Sequence, residues 1–158
     1  MIEKDEVLSL VPHRNRMFLL DRVTTYDLEE YSIEAEYTIT EDCLFYDPAI
    51  GGVPAWVSFE FIAQAISVLF GLTRRRMGKE PKLGFIMSVS SMKIGIPLIK
   101  TGSTVELKVK EINRMGLVYS FECSALLDGR TFLEGKLTAM DVEEEKMEAY
   151  QKENNSIG

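Results

Sequence analysis

The chain has 158 residues and holds little of the chemistry on which many functions depend. It contains one histidine, His13, so multi-histidine metal sites are excluded, and a site made of carboxylates alone or of two cysteines is poorly supported. Its two cysteines, Cys43 and Cys123, fit neither a CxxC pair nor a disulfide framework. Basic charge is also scarce. Against 25 Asp and Glu stand 18 Lys and Arg, giving a net charge of −7 with no broad basic stripe, and nucleic acid is therefore not an expected partner. No charged n-region, apolar h-region and cleavage site open the chain, and it has no internal repeat and no low-complexity segment. The expectation is one domain of ordinary size in a reducing cytoplasm, long enough to bury a sizeable core.

What the chain does have is a long apolar run. From Val53 to Leu72 the only polar side chains apart from the Trp56 indole are Ser58, Glu60, Gln64 and Ser67. A carboxylate there must be solvated, paired or put to use. About 20 such residues followed by Arg74-Arg75-Arg76 also read as a membrane helix. A central glutamate is costly in lipid, however, and the rest of the chain is built of soluble-type alternating strands, so no membrane span is expected. A helix that is apolar nearly all round inside a soluble domain is one wrapped by a sheet. It should run from about 55 to 77 and stop at Gly78, with the arginines complementing its dipole.

Around this helix the pattern is strand-like. Residues 4–10, "KDEVLSL", read as a short amphipathic helix placed as a lid and ended by Pro12. "MFLLDRVTTYD" and "YSIEAEYTI" read as a hairpin across "DLEE". Residues 41–55, "EDCLFYDPAIGGVPA", read as an irregular segment delivering the chain to the helix. Four strands follow, "KLGFIMSVSSMKI", "TVELKVKEINR", "LVYSFECSALL" and "TFLEGKLTAMDV", split by "PLIKTGS", "MG" and "DG", the last three forming a meander. Phe61, Phe85 and Met87 are core by default, although an acyl tunnel could run among such residues. The expected domain spans 1–142, and the charged tail 143–158 is a frayed helix or disorder. The class is α+β: one antiparallel curved sheet wrapped around one long central helix. Its open edges suit pairing with a second protomer, as a homodimer or a heterodimer of like subunits.

Two stretches carry a family resemblance. "LVPHRNRMFLLDRV" at 10–23 is similar to the opening "LPHR…LLVDRV" run of the hotdog-fold β-hydroxyacyl-(acyl carrier protein) dehydratases, and "PAWVSFEFIAQA" at 54–65 is similar to their "PGVLxxEAMAQA". Order, spacing and the strand succession up to about residue 142 match as well, and within that superfamily the chain most resembles the divergent predicted 3-hydroxyacyl-carrier-protein dehydratases. The resemblance implies a hotdog fold and action on an acyl thioester of acyl carrier protein or CoA in fatty acid or polyketide-like lipid synthesis, with no cofactor. It puts Glu60 on the family's catalytic glutamate and Gln64 on the glutamine one turn later. Pro54 and Ala55, followed by Trp56, stand at the helix start, where free backbone N–H groups form the oxyanion site for the thioester carbonyl. Those three residues and Gln64 are the implied substrate-binding set.

One departure matters. Where the family has its catalytic histidine in "HFPG", this chain has "YDPA" at 46–49, so Tyr46 stands in the histidine's place. Dehydration needs a base for the proton alpha to the carbonyl and an acid for the leaving hydroxyl, and a tyrosine, with an unperturbed pKa of about 10, is mostly protonated at neutral pH. Three ways out stay open: His13 substitutes, Tyr46 or Asp47 acts with Glu60, or the reaction has been lost. Each functional reading has a plain counterpart. Glu60 could be a structural carboxylate paired with an arginine or Gln64, His13 could cap a turn, and Tyr46 could be core or tunnel wall. Arg74, Arg75 and Arg76, with Arg14 and Arg16, could be a solvated helix end or a dock for the acidic face of a carrier protein or pantetheine phosphates. The activity expected first is dehydration of 3-hydroxyacyl-acyl carrier protein to the trans-2-enoyl thioester. The alternatives are a hotdog thioesterase using one carboxylate, and a non-catalytic subunit paired with an active partner.

Overall fold

The computed structural model of the protein describes residues 1–10, 19–79 and 85–141. Alternation of apolar and polar residues builds the sheet. In β3 (Ser32–Thr38) Ile33, Ala35 and Tyr37 are buried, and in β7 (Thr104–Met115) Val105, Leu107 and Val109 are buried while Glu106, Lys108 and Lys110 face solvent. A period of two puts one face of each strand on the core. β8 (Val118–Leu127) and β9 (Arg130–Asp141) complete the expected meander. Its tight turns fall at Gly116 and at Asp128-Gly129, all with positive φ, the backbone geometry that two-residue hairpin loops favour.

With β1 (Ile2–Glu3), β2 (Arg22–Asp27) and β5 (Phe85–Ile94), these strands form one antiparallel sheet in the order β1-β2-β3-β7-β8-β9-β5. The expected hairpin of β2 and β3 is present, and in the turn between them the Asp27 carboxylate accepts from the Glu29 and Glu30 amides at 2.8 and 3.0 Å. Three short strands escaped the sequence reading. β1 pairs with β2, while β4 (Gly52–Pro54) and β6 (Leu98–Lys100) pair with each other as a separate ribbon inside stretches expected to be irregular. Segments of two or three residues are too short to show alternation, so only tertiary pairing reveals them.

The central helix α2 (Ser58–Arg76) follows a 3-10 turn at Ala55–Val57 and packs on β3 and β7. Phe61, Ile62, Ala65, Ile66, Val68 and Leu69 are fully buried, which explains its apolar run. Each buried large side chain contributes about 1.5–3 kcal/mol. The helix ends as expected at Gly78, whose φ of 72° closes a double link: Gly78 N–H donates to the Arg75 carbonyl at 3.0 Å and Lys79 N–H to that of Arg74 at 2.8 Å. Among the described residues it is the one helix long and apolar enough to cross a bilayer, and most of it is buried inside the fold. A sheet wrapped around one buried helix is the hotdog architecture. Phe61 is core as expected; the side chains of Phe85 and Met87, and the tail 143–158, lie outside the described part.

Helix α1 (Lys4–Leu10) buries Val7 and Leu10 against α2. The contact is close at Gly71, where an added Cβ would overlap the Leu10 carbonyl oxygen and lie 2.8 Å from its carbon. Beside Gly71 on the same helix, Phe70 joins Tyr31, Tyr119 and Phe121 in an aromatic cluster, with the Arg114 guanidinium 4.3 Å from the Tyr119 ring centre and 4.8 Å from that of Tyr31. β5 is an end strand of the sheet, its outer edge unpaired among the described residues, with Val89 and Ile94 exposed along it.

Candidate active site

The loop before α2 is tightly self-bonded. Asp47 N–H donates to the Gly52 carbonyl at 2.8 Å, the Asp47 carbonyl accepts from Ile50 and Gly51, and its carboxylate accepts from the Ala49 amide at 2.9 Å. Asp47 is exposed and holds its own turn together, which argues against the expectation that it acts with Glu60. The loop then enters β4, where Gly52 lies so close to β6 that an added Cβ would overlap the Ile99 carbonyl oxygen. One residue past β4, the Ala55 amide donates to the Pro97 carbonyl at 3.0 Å. The Ala55 N–H is therefore not free, which corrects the reading of that amide as an oxyanion donor.

Glu60 sits in the first turn of α2, not in the middle of a helix as the length of the apolar run suggests. Val57 gives this helix end no side-chain cap; the 3-10 turn at Ala55–Val57 runs straight into it, and the Ser58 N–H donates to the Ala55 and Trp56 carbonyls. Glu60 is half-buried, and its Oε1 accepts from Gln64 Nε2 at 3.4 Å. Gln64 is fully buried and its other end accepts from the Leu19 amide at 2.7 Å. Both ends of that side chain are thus engaged, and a group expected to bind substrate instead ties Glu60 to the segment entering β2. Such a bond is worth about 0.5–1.5 kcal/mol, and losing it would leave a buried donor unpaired.

Next to Glu60 in sequence, Phe61 packs on the Tyr37 ring at 5.1 Å. Burial, with the Cys43 thiol beside it, pushes the Tyr37 hydroxyl well above its usual range, so it stays protonated. Ser58, fully buried in the same first turn, has no hydrogen-bond partner for its hydroxyl among the described residues. Trp56 is the opposite case. It is 61 % exposed and meets Phe45 edge-on at 6.4 Å.

The structure brings Glu60 and Gln64 together and puts Pro54, Ala55 and Trp56 at the entrance to their helix. Tyr46 is half-buried and packed against the core. His13, Arg14 and Arg16 lie outside the described residues. Of the arginine cluster, Arg75 pairs with Glu6 at 3.0 Å and Arg76 with Glu29 at 3.3 Å, both in solvent, where such pairs are worth about 0–1 kcal/mol and exchange readily. Sequence reasoning did not single out Ser58, Phe45 or Pro97. Phe45 could have been found as an aromatic beside a chemistry-bearing loop, whereas nothing in the sequence joins Pro97 to Ala55. A concavity of about 630 Å³ lies on the outer face of the sheet, between Lys93, Lys108, Lys136 and Glu134, and none of its lining residues belongs to α2. Among the described residues no group of three or more His, Cys, Asp or Glu could hold a metal ion.

The chain is 31 % identical over 138 residues to a 3-hydroxyacyl-[acyl-carrier-protein] dehydratase FabZ of Erythrobacter litoralis, covering 85 % of this chain and 89 % of that one. It is 30 % identical over 150 residues to the FabZ of Bartonella quintana, covering 91 % and 92 %. Its fold matches a chain of the dehydratase heterocomplex ApeI:P from Xenorhabdus doucetiae with a TM-score of 0.80 at 20 % identity, covering 91 % of this chain and 95 % of that one. Residues 5–152 match the family described as ApeP-like, ApeP dehydratase, and with a buried helix that carries Glu60 and Gln64 inside a wrapped sheet, the chain belongs to that family of hotdog dehydratases.

Proposed function

We propose that the protein is a lyase that removes water from a 3-hydroxyacyl thioester of acyl carrier protein, giving the trans-2-enoyl thioester, in the cytoplasmic synthesis of fatty acids or polyketide-like lipids. The observation that carries the proposal is Glu60, held by Gln64 in the first turn of the buried helix. A base takes the C2 proton, the C2–C3 double bond forms as the C3–O bond breaks, and Glu60 gives its proton to the departing hydroxyl, which leaves as water. Solvent then returns the base's proton to Glu60. His13 is our candidate base, being the one imidazole in the chain; Tyr46 is the other residue near enough in sequence to the loop to serve. With the Ala55 amide bonded to Pro97, the next amide, that of Trp56, is the candidate donor to the thioester carbonyl, beside Pro54.

The acting unit is a single hotdog domain over residues 1–142 with a charged tail at 143–158, and it works as a dimer. The end strand β5, with Val89 and Ile94 exposed, supports pairing with a second hotdog subunit, the same or different. A different one is favoured by Tyr46 in the histidine's place, since a histidine-bearing partner would restore the missing imidazole. Arg74, Arg75 and Arg76 are the candidate dock for the acidic carrier. The test is mass spectrometry of 3-hydroxyacyl carrier protein after incubation with the wild type and with Glu60→Gln, each alone and with a candidate partner subunit. Loss of one water by the wild type and not by the variant supports the assignment. Full activity in Glu60→Gln, or release of free thiol in place of water, refutes it.

A further inference from the structure

On α2 and the turn that leads into it, Trp56, Glu60 and Gln64 follow each other at intervals of four residues, over about 12 Å of helix. Their exposure falls steeply along that line. Trp56 is 61 % exposed, Glu60 is half-buried and Gln64 is fully buried. The inner end is also closed, because the Gln64 carboxamide is bonded to the Leu19 amide on one side and to Glu60 on the other. The line from Glu60 along the helix to solvent passes Trp56, so a substrate whose reacting carbons lie at Glu60, and whose thiol side is tethered to a bulky carrier, can run out over that indole. From this we infer that Trp56, with Phe45 set edge-on behind it, is the platform on which the amide-bearing pantetheine arm of the substrate lies, and so the residue by which the protein tells an arm-borne acyl thioester from a short one. The inference rests on the acyl-thioester reading above.

The chemistry fits the occupant. An arm of two flat amide groups and short methylene links presents both apolar surface and π-faces, which an indole covers better than any other side chain, while its N–H can still donate at the wet edge. An edge-on phenyl ring fixes the indole's tilt at low entropic cost. A lone exposed Trp needs no explanation by itself; here its position one turn before Glu60 supplies one.

Trp56 is the chain's single tryptophan, so its emission reports on this place alone. The first measurement is a titration of the full-length wild type with pantetheine carrying no acyl group, and separately with N-acetylcysteamine, read by indole fluorescence. A saturable change with pantetheine and none with N-acetylcysteamine is expected. The absence of a saturable change with pantetheine overturns the inference, whatever the enzyme does with acyl substrates; a saturable change without any water loss from 3-hydroxyacyl thioesters leaves it standing and overturns the dehydratase reading instead. The second measurement compares Trp56→Ala and Trp56→Phe on 3-hydroxyacyl-pantetheine and 3-hydroxyacyl-N-acetylcysteamine. Trp56→Ala should raise KM for the pantetheine ester roughly tenfold more than it raises KM for the short ester, and Trp56→Phe should largely remove that difference. An equal loss on both esters, or dissociation of the oligomer in native mass spectrometry, refutes the platform role.

Discussion

Replacing Gly71 by alanine tests the close contact between the two helices through the sign of a stability change. In the interior of a helix, Gly→Ala is ordinarily stabilising by about 0.8–1 kcal/mol, because alanine loses less backbone freedom on folding. At Gly71 the new methyl would overlap the Leu10 carbonyl oxygen, 2.8 Å from its carbon and 3.1 Å from the Leu10 Cβ. Those are backbone atoms and the root of a side chain, so they cannot swing away; α1 must move as a body. A seven-residue helix has no stability of its own and is held by its burial of Val7 and Leu10, so a shift loosens both. Overpacking of this kind is destabilising by about 1–3 kcal/mol, which outweighs the propensity gain. We expect Gly71→Ala to lower stability by about 2 kcal/mol and Tm by roughly 4–8 °C, measured by urea and thermal unfolding followed by circular dichroism. Ala63→Gly, a half-buried position on the same helix, serves as the calibration and should lose about 1 kcal/mol from propensity alone. A Gly71→Ala protein as stable as the wild type, or more so, would refute the packing of α1 on α2.

Four further outcomes are expected. Glu60→Gln should reduce kcat by about 10²–10⁴ with an unchanged circular dichroism spectrum, as fits loss of an acid without loss of the fold. Gln64→Leu should lower stability by about 1–3 kcal/mol, since it strands the buried Leu19 amide, and lower kcat as well; amide exchange at Leu19 would rise in the variant if the bond exists. Arg75→Ala and Arg76→Ala should each change stability by less than about 1 kcal/mol, because their pairs with Glu6 and Glu29 are solvent-exposed, while weakening carrier-protein binding at low salt more than at high salt. Burial, together with the Glu122 carboxylate, pushes the Cys123 thiol up to about 12 from an ordinary value of 9.0. The folded state then keeps a proton that the unfolded chain releases above about pH 9, so this contribution to stability is complete below pH 9 and lost as the pH climbs toward 12. Unfolding curves of Cys123→Ala should fall less steeply over that window than those of the wild type.

How far the sequence could be read follows from the range over which each signal acts. The long strands were legible because alternation such as Val105, Leu107, Val109 repeats often enough to show a period. The central helix was legible because an apolar run with Gly78 at its end has one local solution. Glu60 and Gln64 were legible as a pair because four residues on a helix are neighbours in any fold. Short strands β1, β4 and β6 were not, since they exist only by pairing with residues far away in the chain.

By itself, then, the sequence determined the class of fold, the identity of the buried helix and the carboxylate on it, because all of these rest on periodicity and composition within about 20 residues. Only the tertiary structure decided which groups at the site are still available. It bonds Ala55 to Pro97 across 42 residues of chain and Gln64 to Leu19 across 45, pairs Arg75 with Glu6, and leaves Trp56 at the open end of the helix. Each of those outcomes depends on a hydrogen-bond or ion-pair partner brought near by the closure of the sheet around the helix, or, for Trp56, on where that closure stops, and no local pattern encodes a partner at that distance.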